Sequence, residues 1–229
     1  MKRQWILIIC SAAIFFFSGF QKASAQIKET IVYDILPIGY CEYQDLGTVE
    51  LFGKKVSFVV FKTKVVGFDD TEKIYGDQQT GFPLRVERDI SMWLHDEDIT
   101  EEYFPDLRKV LITKYLGGKK AEELTFNAKG GPIQNAIMVP FSLRRVKKLD
   151  IGWSTQIRLP EEFKVELDKI EDVTVPAGTF KAYHFISSPK KFEIWISCDE
   201  LRVPVKITGF GAFSYTMAMK KHTLGEKGQ

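Results

Sequence analysis

The sequence predicts an all-β fold, an antiparallel barrel or a strongly curved half-barrel sheet with one short helix. Apolar and polar residues alternate in several segments, such as 163–168 and 192–197. A period of two is that of a strand with one apolar and one wetter face. Gly and Pro interrupt the chain at short intervals, as they do in β-hairpins. More than a dozen such segments in hairpin order favour a barrel or a strongly curved sheet.

The first 25 residues are typical of a cleavable secretory signal peptide. Lys2 and Arg3 precede an almost unbroken apolar run over residues 5–20, and Ala23-Ser24-Ala25 then places small residues where a signal peptidase cuts. A retained membrane anchor is the alternative, but the apolar run is shorter than the roughly 20 residues that span a bilayer. We therefore expect export, cleavage before Gln26 and a periplasmic or extracellular mature protein.

Residues 26–229 are predicted to form a single β-rich extracytoplasmic domain, because this length suffices for one domain with a substantial core. The removed segment carries three basic residues and no acidic one, which leaves 29 Lys and Arg against 30 Asp and Glu. Such a balance lacks the basic excess of a nucleic-acid binder, so no nucleic-acid partner is expected. No further apolar run is long enough to be a transmembrane segment of the mature chain.

The strands are predicted from alternation and from the turn residues that separate them. They span residues 29–36, 47–52, 55–66, 69–76, 82–91, 98–104, 108–116, 121–126, 155–159, 162–174, 179–187, 191–198, 203–208 and 211–221. One short helix is predicted around residues 132–143, where Ile133, Ile137 and Phe141 recur at helical spacing. Pro140 is expected to limit this helix to about its first two turns.

The turn over residues 174–180 can be predicted in detail. Pro176 presets φ for the first turn position, and Gly178 can adopt the left-handed conformation that closes a three-residue hairpin with a bulge. The segment is therefore a structural turn. It is not a phosphate-binding loop, since no run of glycines precedes a helix here.

Three stretches, Val175–Phe180, Ile194–Ser197 and Arg202–Ile207, occur in an order and spacing that resemble an exported bacterial family, domain-of-unknown-function 3108. Residues 82–86 and 143–152 are similar to earlier landmarks of that family. The resemblance covers most of residues 29–221. It implies an extracytoplasmic β fold without a known catalytic site, and it transfers no functional residue.

No metal site is predicted. The mature chain has only His95, His184 and His222, which are far apart and lack the spacing of a helical zinc motif. The acidic run after His95 lacks the regular oxygen spacing of an EF-hand. Asp69-Asp70 with Glu72 is interpreted as a solvated loop between strands.

No catalytic residue and no cofactor are predicted either. The chain has no Gly-x-Ser-x-Gly elbow. Glu101 and Glu102 are adjacent, so on a strand they point to opposite faces and do not form a glycosidase pair. His184 shares a predicted strand face with Ala182 and Ile186, which favours a core or cavity-wall histidine over a general base.

Two cysteines remain in the mature chain, Cys41 and Cys198. Export to an oxidising compartment permits a disulfide, and an even count is consistent with one. The alternative, which we favour, is two unpaired thiols buried as small apolar residues. Neither cysteine has the surroundings of a CxxC motif or a metal knuckle.

Aromatic residues are frequent on the predicted strands, and several of those strands carry apolar groups on both faces. One interpretation is burial of both faces. The other is that one face lines an apolar cavity, as in curved sheets that hold a ligand. Under the second, the candidate ligand-binding residues are His184, Phe185, Trp195, Phe213 and Tyr215.

These observations lead to three functional hypotheses. The first is a non-enzymatic cell-envelope β protein that binds an apolar, lipid-like ligand or an envelope protein. The second is a structural or interaction module with a filled interior. The third is a hydrolase whose carboxylates or histidines converge only in the fold.

The signal-peptide interpretation predicts the mature N-terminus. Ala23 and Ala25 are the only well-placed small pair after the apolar run, so N-terminal sequencing of exported protein should begin at Gln26. Recovery of the chain from the membrane fraction with Met1 still attached would contradict both cleavage and the expected location.

Overall fold

The computed structural model describes residues 27–93, 95–211 and 214–225, so the predicted signal peptide lies outside the described residues. The described chain is almost entirely β-structure. Its strands are β1 (Glu29–Leu36), β2 (Tyr40–Leu51), β3 (Lys54–Val65), β4 (Phe68–Gly76), β5 (Pro83–Met92), β6 (His95–Phe104), β7 (Lys109–Leu116), β8 (Lys119–Asn127), β9 (Ser154–Arg158), β10 (Glu162–Val175), β11 (Gly178–Ser188), β12 (Phe192–Ser197), β13 (Pro204–Gly209) and β14 (Tyr215–Leu224).

All fourteen strands form one antiparallel sheet in the order β8-β7-β6-β5-β4-β3-β2-β1-β14-β13-β12-β11-β10-β9. Two meanders, β1–β8 and β9–β14, are therefore joined side by side through the pairing of β1 with β14. The edge strands β8 and β9 are consecutive in the chain but are not paired with each other. The predicted all-β class is confirmed, and of the two predicted architectures the structure has the half-barrel sheet rather than the closed barrel.

The sheet is strongly curved. If it were flat, its edges would lie about 60 Å apart, since neighbouring strands are about 4.8 Å apart. Instead Phe126 of β8 and Leu159, which directly follows β9, line one and the same recess. Curvature gives the sheet an inner face, on which Tyr43, Val165 and Phe185 are buried in a single core, and an opposite outer face.

The connection between β8 and β9, residues 128–153, covers part of the inner face. It contains a 3-10 turn at Ala136–Met138 and a helix, α1, at Val139–Leu143. The predicted helix over residues 132–143 is thus too long, and the prediction that Pro140 ends it is wrong. Pro140 lies in the first turn of α1, where its missing N–H is not needed for a helical hydrogen bond.

Two contacts attach this connection to the sheet. The Phe141 ring of α1 stacks on the Tyr43 ring of β2 with centroids 3.7 Å apart. Arg144, which follows α1, donates from Nη1 to one carboxylate oxygen of Glu29 at 2.8 Å and from Nη2 to the other at 3.1 Å. Because Glu29 is buried on β1, this bidentate pair supplies the counter-charge that a buried carboxylate needs.

The strand predictions differ from the structure mainly at β2 and β14. β2 begins at Tyr40 rather than at residue 47, because Gly47 lies in a bulge between Asp45 and Thr48 and not before the strand. Its φ of +80° suits a glycine at that irregular position. β14 begins at Tyr215 rather than at residue 211, and residues 212–213 lie outside the described part.

Cys41 and Cys198 are both free thiols, as the favoured interpretation predicts, but only Cys41 is buried and Cys198 is partly exposed. Cys41 is buried on the inner face of β2, with its Sγ 3.7 Å from Met217 Sδ. Burial raises the pKa of the Cys41 thiol to about 12, as expected for an inert core thiol. Within the described residues, no helix is long and apolar enough to cross a membrane.

The predicted turn at residues 174–180 has a shorter loop than expected. Val175 pairs with Gly178, so only Pro176 and Ala177 link β10 to β11. Gly178 has a φ of +134°, in the region that favours glycine. A Cβ built on Gly178 would meet nothing closer than 3.9 Å, at Phe180, so only backbone conformation opposes a side chain here.

Gly178→Val should therefore lower the free energy of unfolding by about 1–3 kcal/mol, the usual range for one strained backbone site. The exposed neighbour offers the control, since Ala177→Val introduces the same side chain without a positive φ. Urea unfolding of both variants measures the difference. Equal midpoints would show that the turn is not strained by a β-branched residue.

Candidate functional site

Of the four sequence-predicted ligand-binding residues that the structure describes, Phe185 and Tyr215 do not converge with the other two. Phe185 is fully buried on the inner face of β11, with its ring edge-on to Trp153. Tyr215 starts β14 with 42% of its surface exposed, and its ring lies over the backbone of Gly209. Phe213 lies outside the described residues. The inner face around Phe185 is filled by core side chains.

The other two, His184 and Trp195, do come together, on the outer face of the sheet. They are register partners on β11 and β12, and their rings stack with centroids 4.2 Å apart. The ammonium group of Lys206 on β13 lies 4.5 Å from the centroid of the Trp195 ring, which is a cation–π distance. Strand register alone creates this stack, because side chains of directly paired residues point the same way.

Two glutamates flank the stacked histidine. Nε2 of His184 lies 3.3 Å from Glu193 Oε2. Nδ1 lies 3.3 Å from Glu171 Oε1 but is not aligned for a hydrogen bond. Glu171 Oε1 instead accepts a hydrogen bond from the Trp195 indole at 2.9 Å. This bond, together with one from Lys169, lowers the pKa of Glu171.

This outer cluster ties β10, β11, β12 and β13 together with internally matched charges. His184 is itself buried, with one ring face against Trp195. The hydroxyl of Ser197, on the same face of β12, is already engaged with Asp199 and the backbone N–H of Val203. The cluster has the contacts of a structural network that links adjacent strands.

A second group of polar residues lies inside the curved sheet, in a recess of about 330 Å³ that we call the inner recess. Its volume is at the lower end of small-molecule sites, which span about 300–1,000 Å³. The inner faces of β4–β8 line one side, and the β8–β9 connection with the residues after β9 line the other. The lining residues are Glu72, Arg88, Glu101, Tyr103, Val110, Ile112, Phe126, Ile133, Gln134, Asn135, Ala136, Ile137, Leu159 and Pro160.

The polar side of the recess is formed by neighbouring strands. Arg88 on β5 donates from Nε and Nη2 to the same oxygen, Oδ2, of Asp70 on β4. Glu72, two residues further along β4, has its Oε1 3.8 Å from Arg88 Nε. On β6, the hydroxyl of Tyr103 donates to Glu101 Oε2. Three carboxyl groups thus surround one guanidinium.

Glu72 lies in an unusual environment for a carboxyl group. Only 12% of its side chain is exposed. Burial raises the pKa of Glu72 from its usual 4.5 to about 7, with Asp70 and Glu101 adding to the shift and Arg88 opposing it. The interpretation of Asp69-Asp70 with Glu72 as a solvated loop is wrong, since all three lie on β4 and Asp70 is only 5% exposed.

The remaining lining of the recess is largely apolar. Ile112 of β7 and Phe126 of β8 face Ile133 and Ile137 of the β8–β9 connection across the opening. A recess with a polar side and an apolar side suits an amphipathic molecule. Among the described residues, no group of three or more His, Cys, Asp and Glu side chains is arranged to hold a metal ion.

The sequence did carry a signal for this recess. Arg88 lies between Val86 and Ile90 in the alternation of β5, which places a charged side chain on the apolar face. Glu101 lies two residues before Tyr103, again on the inner face. Charged residues in phase with buried ones are costly unless paired, so they mark positions where a polar group is held inside the fold.

No protein-family model matches the chain, and comparison with curated proteins finds no match. Solved structures do include similar chains. One of them is described as a β-barrel-like protein of domain of unknown function DUF1849 from Brucella abortus. It aligns with a TM-score of 0.43 and 9% sequence identity, over 88% of this chain and 99% of that one. Membership of the domain-of-unknown-function 3108 family stays a prediction.

The raised pKa of Glu72 predicts a pH dependence of stability. Between about pH 4.5 and pH 7 the folded protein retains a proton that the unfolded Glu72 has released, so the free energy of unfolding falls as pH rises through this window. Glu72→Gln cannot titrate. The free energy of unfolding of this variant should therefore rise relative to that of the wild type across the window, and the difference should reach at most about 3 kcal/mol at pH 8.

Chemical denaturation at a series of pH values measures this difference. Glu102→Gln is the matched control, because Glu102 follows Glu101 on β6 and its carboxylate pairs with Arg85. Both variants lose one carboxyl group. Identical pH profiles for the two would show that Glu72 is not the group responsible.

Proposed function

We propose that this chain is an exported, non-enzymatic protein of the cell envelope that binds an apolar or lipid-like ligand in the inner recess. The residues typical of a signal peptide, at positions 1–25, support export. An extracytoplasmic location is also supported by a resemblance to the exported domain-of-unknown-function 3108 family, which residues 175–180, 194–197 and 202–207 carry.

The observation that carries the ligand proposal is the unequal filling of the interior. Along β10–β13 the inner face is closed by fully buried side chains such as Leu167, Phe185 and Ile196. Beside β4–β8 the same face leaves the inner recess between the sheet and the β8–β9 connection. A protein whose interior serves packing alone has no need of an open space lined by both apolar and ionisable groups.

The proposed ligand site therefore differs from the strands on which the sequence suggested it. None of the four predicted ligand-binding residues that the structure describes lines the inner recess. His184 and Trp195 belong to the outer cluster, and Phe185 is fully buried on the inner face of β11. Their participation in binding stays a prediction.

The other two hypotheses account for fewer of the observations. A filled structural module does not explain the inner recess. A hydrolase would need a reacting group beside an acid or base in an accessible cleft. His184 does gather with Glu171 and Glu193, but it is buried on the outer face and stacked on Trp195.

Ligand binding is tested by closing the recess. Titration with the uncharged fluorescent dye N-phenylnaphthylamine should give a saturable rise in fluorescence, reversed by decanol. Ile112→Trp should abolish the rise, because the larger ring occupies the apolar side of the recess. Leu111→Trp, which places the same ring on the opposite face of β7, should bind as the wild type does.

Circular dichroism and thermal melting of both variants must show retained folding for the comparison to hold. The function is overturned if the folded wild type binds neither the dye nor decanol. It is also overturned if Ile112→Trp and Leu111→Trp bind equally well.

A further inference from the structure

The charges in the inner recess do not balance. Arg88 brings one positive charge, which it shares between Asp70, to which it donates two hydrogen bonds, and Glu72, whose Oε1 lies 3.8 Å from its Nε. One guanidinium does not offset three carboxylates, and two of these, Glu72 and Glu101, line the recess. Glu101 accepts a hydrogen bond from Tyr103, a neutral donor, so no positive charge is added.

The cations on adjacent elements are already paired elsewhere. Lys114, on the inner face of β7, forms an ion pair with Glu97 of β6. Arg158, at the end of β9, pairs with Glu162 at 2.7 Å. Neither lines the recess. The described chain therefore offers no further cation to Glu72 and Glu101.

A buried acceptor beside them points in the same direction. Oδ1 of Asp70 is buried and has no hydrogen-bond partner among the described residues, although Oδ2 accepts from Arg88. Buried acceptors are normally satisfied, so an unpaired one indicates that a donor is missing. The direction in which the pKa of Glu72 is displaced agrees with this deficit, since burial without a counter-charge favours the protonated carboxyl.

We propose that the ligand of the inner recess is a cationic amphiphile, whose ammonium group pairs with Glu72 and Glu101 and whose apolar chain lies against Ile112 and Phe126. An ammonium group supplies both the missing positive charge and several hydrogen-bond donors. A fatty acid would instead add a fourth carboxylate to a partly buried group of three, which is unfavourable. This proposal rests on the proposed function and specifies the ligand's polar group.

A series of ligands with one alkyl chain and three polar groups tests the inference: decylamine, decanol and decanoate. The affinity of each ligand is measured by its displacement of bound N-phenylnaphthylamine at pH 8, with the ligand below its micellar concentration. Alkylamines, like the lysine side chain with its pKa of about 10.4, are protonated at this pH. We expect decylamine to bind more tightly than decanol, and at least about tenfold more tightly than decanoate. The reason is that an ammonium group forms a close charge pair with the recess carboxylates, whereas a carboxylate is repelled by them.

Variants locate the effect. Glu72→Gln and Glu101→Gln should each lower the ratio of decylamine affinity to decanol affinity, because each removes one carboxylate that pairs with the ammonium group. Glu102→Gln removes one carboxylate on the outer face of the same strand and should keep the full advantage, which excludes general attraction of a cation to the protein. Two inner variants are used so that a folding defect in one still leaves the other.

The outcomes separate this inference from the proposed function. If decanol binds and decylamine binds no better, the cationic polar group is wrong and the apolar site stands. The cationic group is equally wrong if Glu102→Gln reduces the advantage as much as Glu72→Gln and Glu101→Gln do. If neither decanol nor the dye binds, the recess is not a ligand site and both proposals are overturned.

Discussion

The fold depends on covering the inner face of an open sheet. In a closed barrel the two edge strands pair with each other and the interior is buried by the sheet itself. Here β8 and β9 are unpaired edges, so the β8–β9 connection has to bury part of the inner face. The stack of Phe141 on Tyr43 holds that connection against the sheet. Arg144 then joins three parts of the chain, because its guanidinium donates to Glu29 on β1 and also to the carbonyl oxygen of Leu201 after β12. A helix as short as α1 is not stable alone, so its position follows from these contacts.

The same arrangement explains why a recess exists and where it lies. The β8–β9 connection packs against β1 and β2 through Phe141 and Arg144, while its first part, residues 133–137, forms the side of the inner recess that faces β4–β8. Ionisable groups on those strands would be unfavourable in a closed core, where apolar residues of similar volume are often more stabilising than an ion pair. The position of Glu72, Arg88 and Glu101 inside the fold supports the proposed ligand site, because strongly displaced pKa values, such as that of Glu72, cluster at functional sites.

Most of the fold could be predicted from sequence because it is local. Hairpin order, alternation and turn glycines determine which segments become strands, and Gly178 shows how one residue marks a strand end. The errors arose where two local signals conflicted: Gly47 resembles a turn but lies in a bulge within β2, and Pro140 resembles a helix end but lies in a first turn. The recess was harder to predict, since it brings Phe126 and Leu159 together from opposite edges of the sheet. Sheet curvature decides that contact, and no pattern along the chain encodes it directly.

The two polar clusters contain similar residue types but differ in how the protein compensates their charges. On the outer face, Glu171 accepts from Trp195 and pairs with Lys169, and these contacts lower its pKa. Its charged form is thus stabilised by the protein itself, and no further group is required. Glu72 in the recess has the opposite displacement, because the desolvation of its charged form exceeds the compensation from Arg88. A carboxyl group whose folded environment lacks a counter-charge gains most from one brought by a ligand. The sign of the pKa displacement, rather than the number of charged residues, therefore supports the inner recess over the histidine cluster as the proposed ligand site.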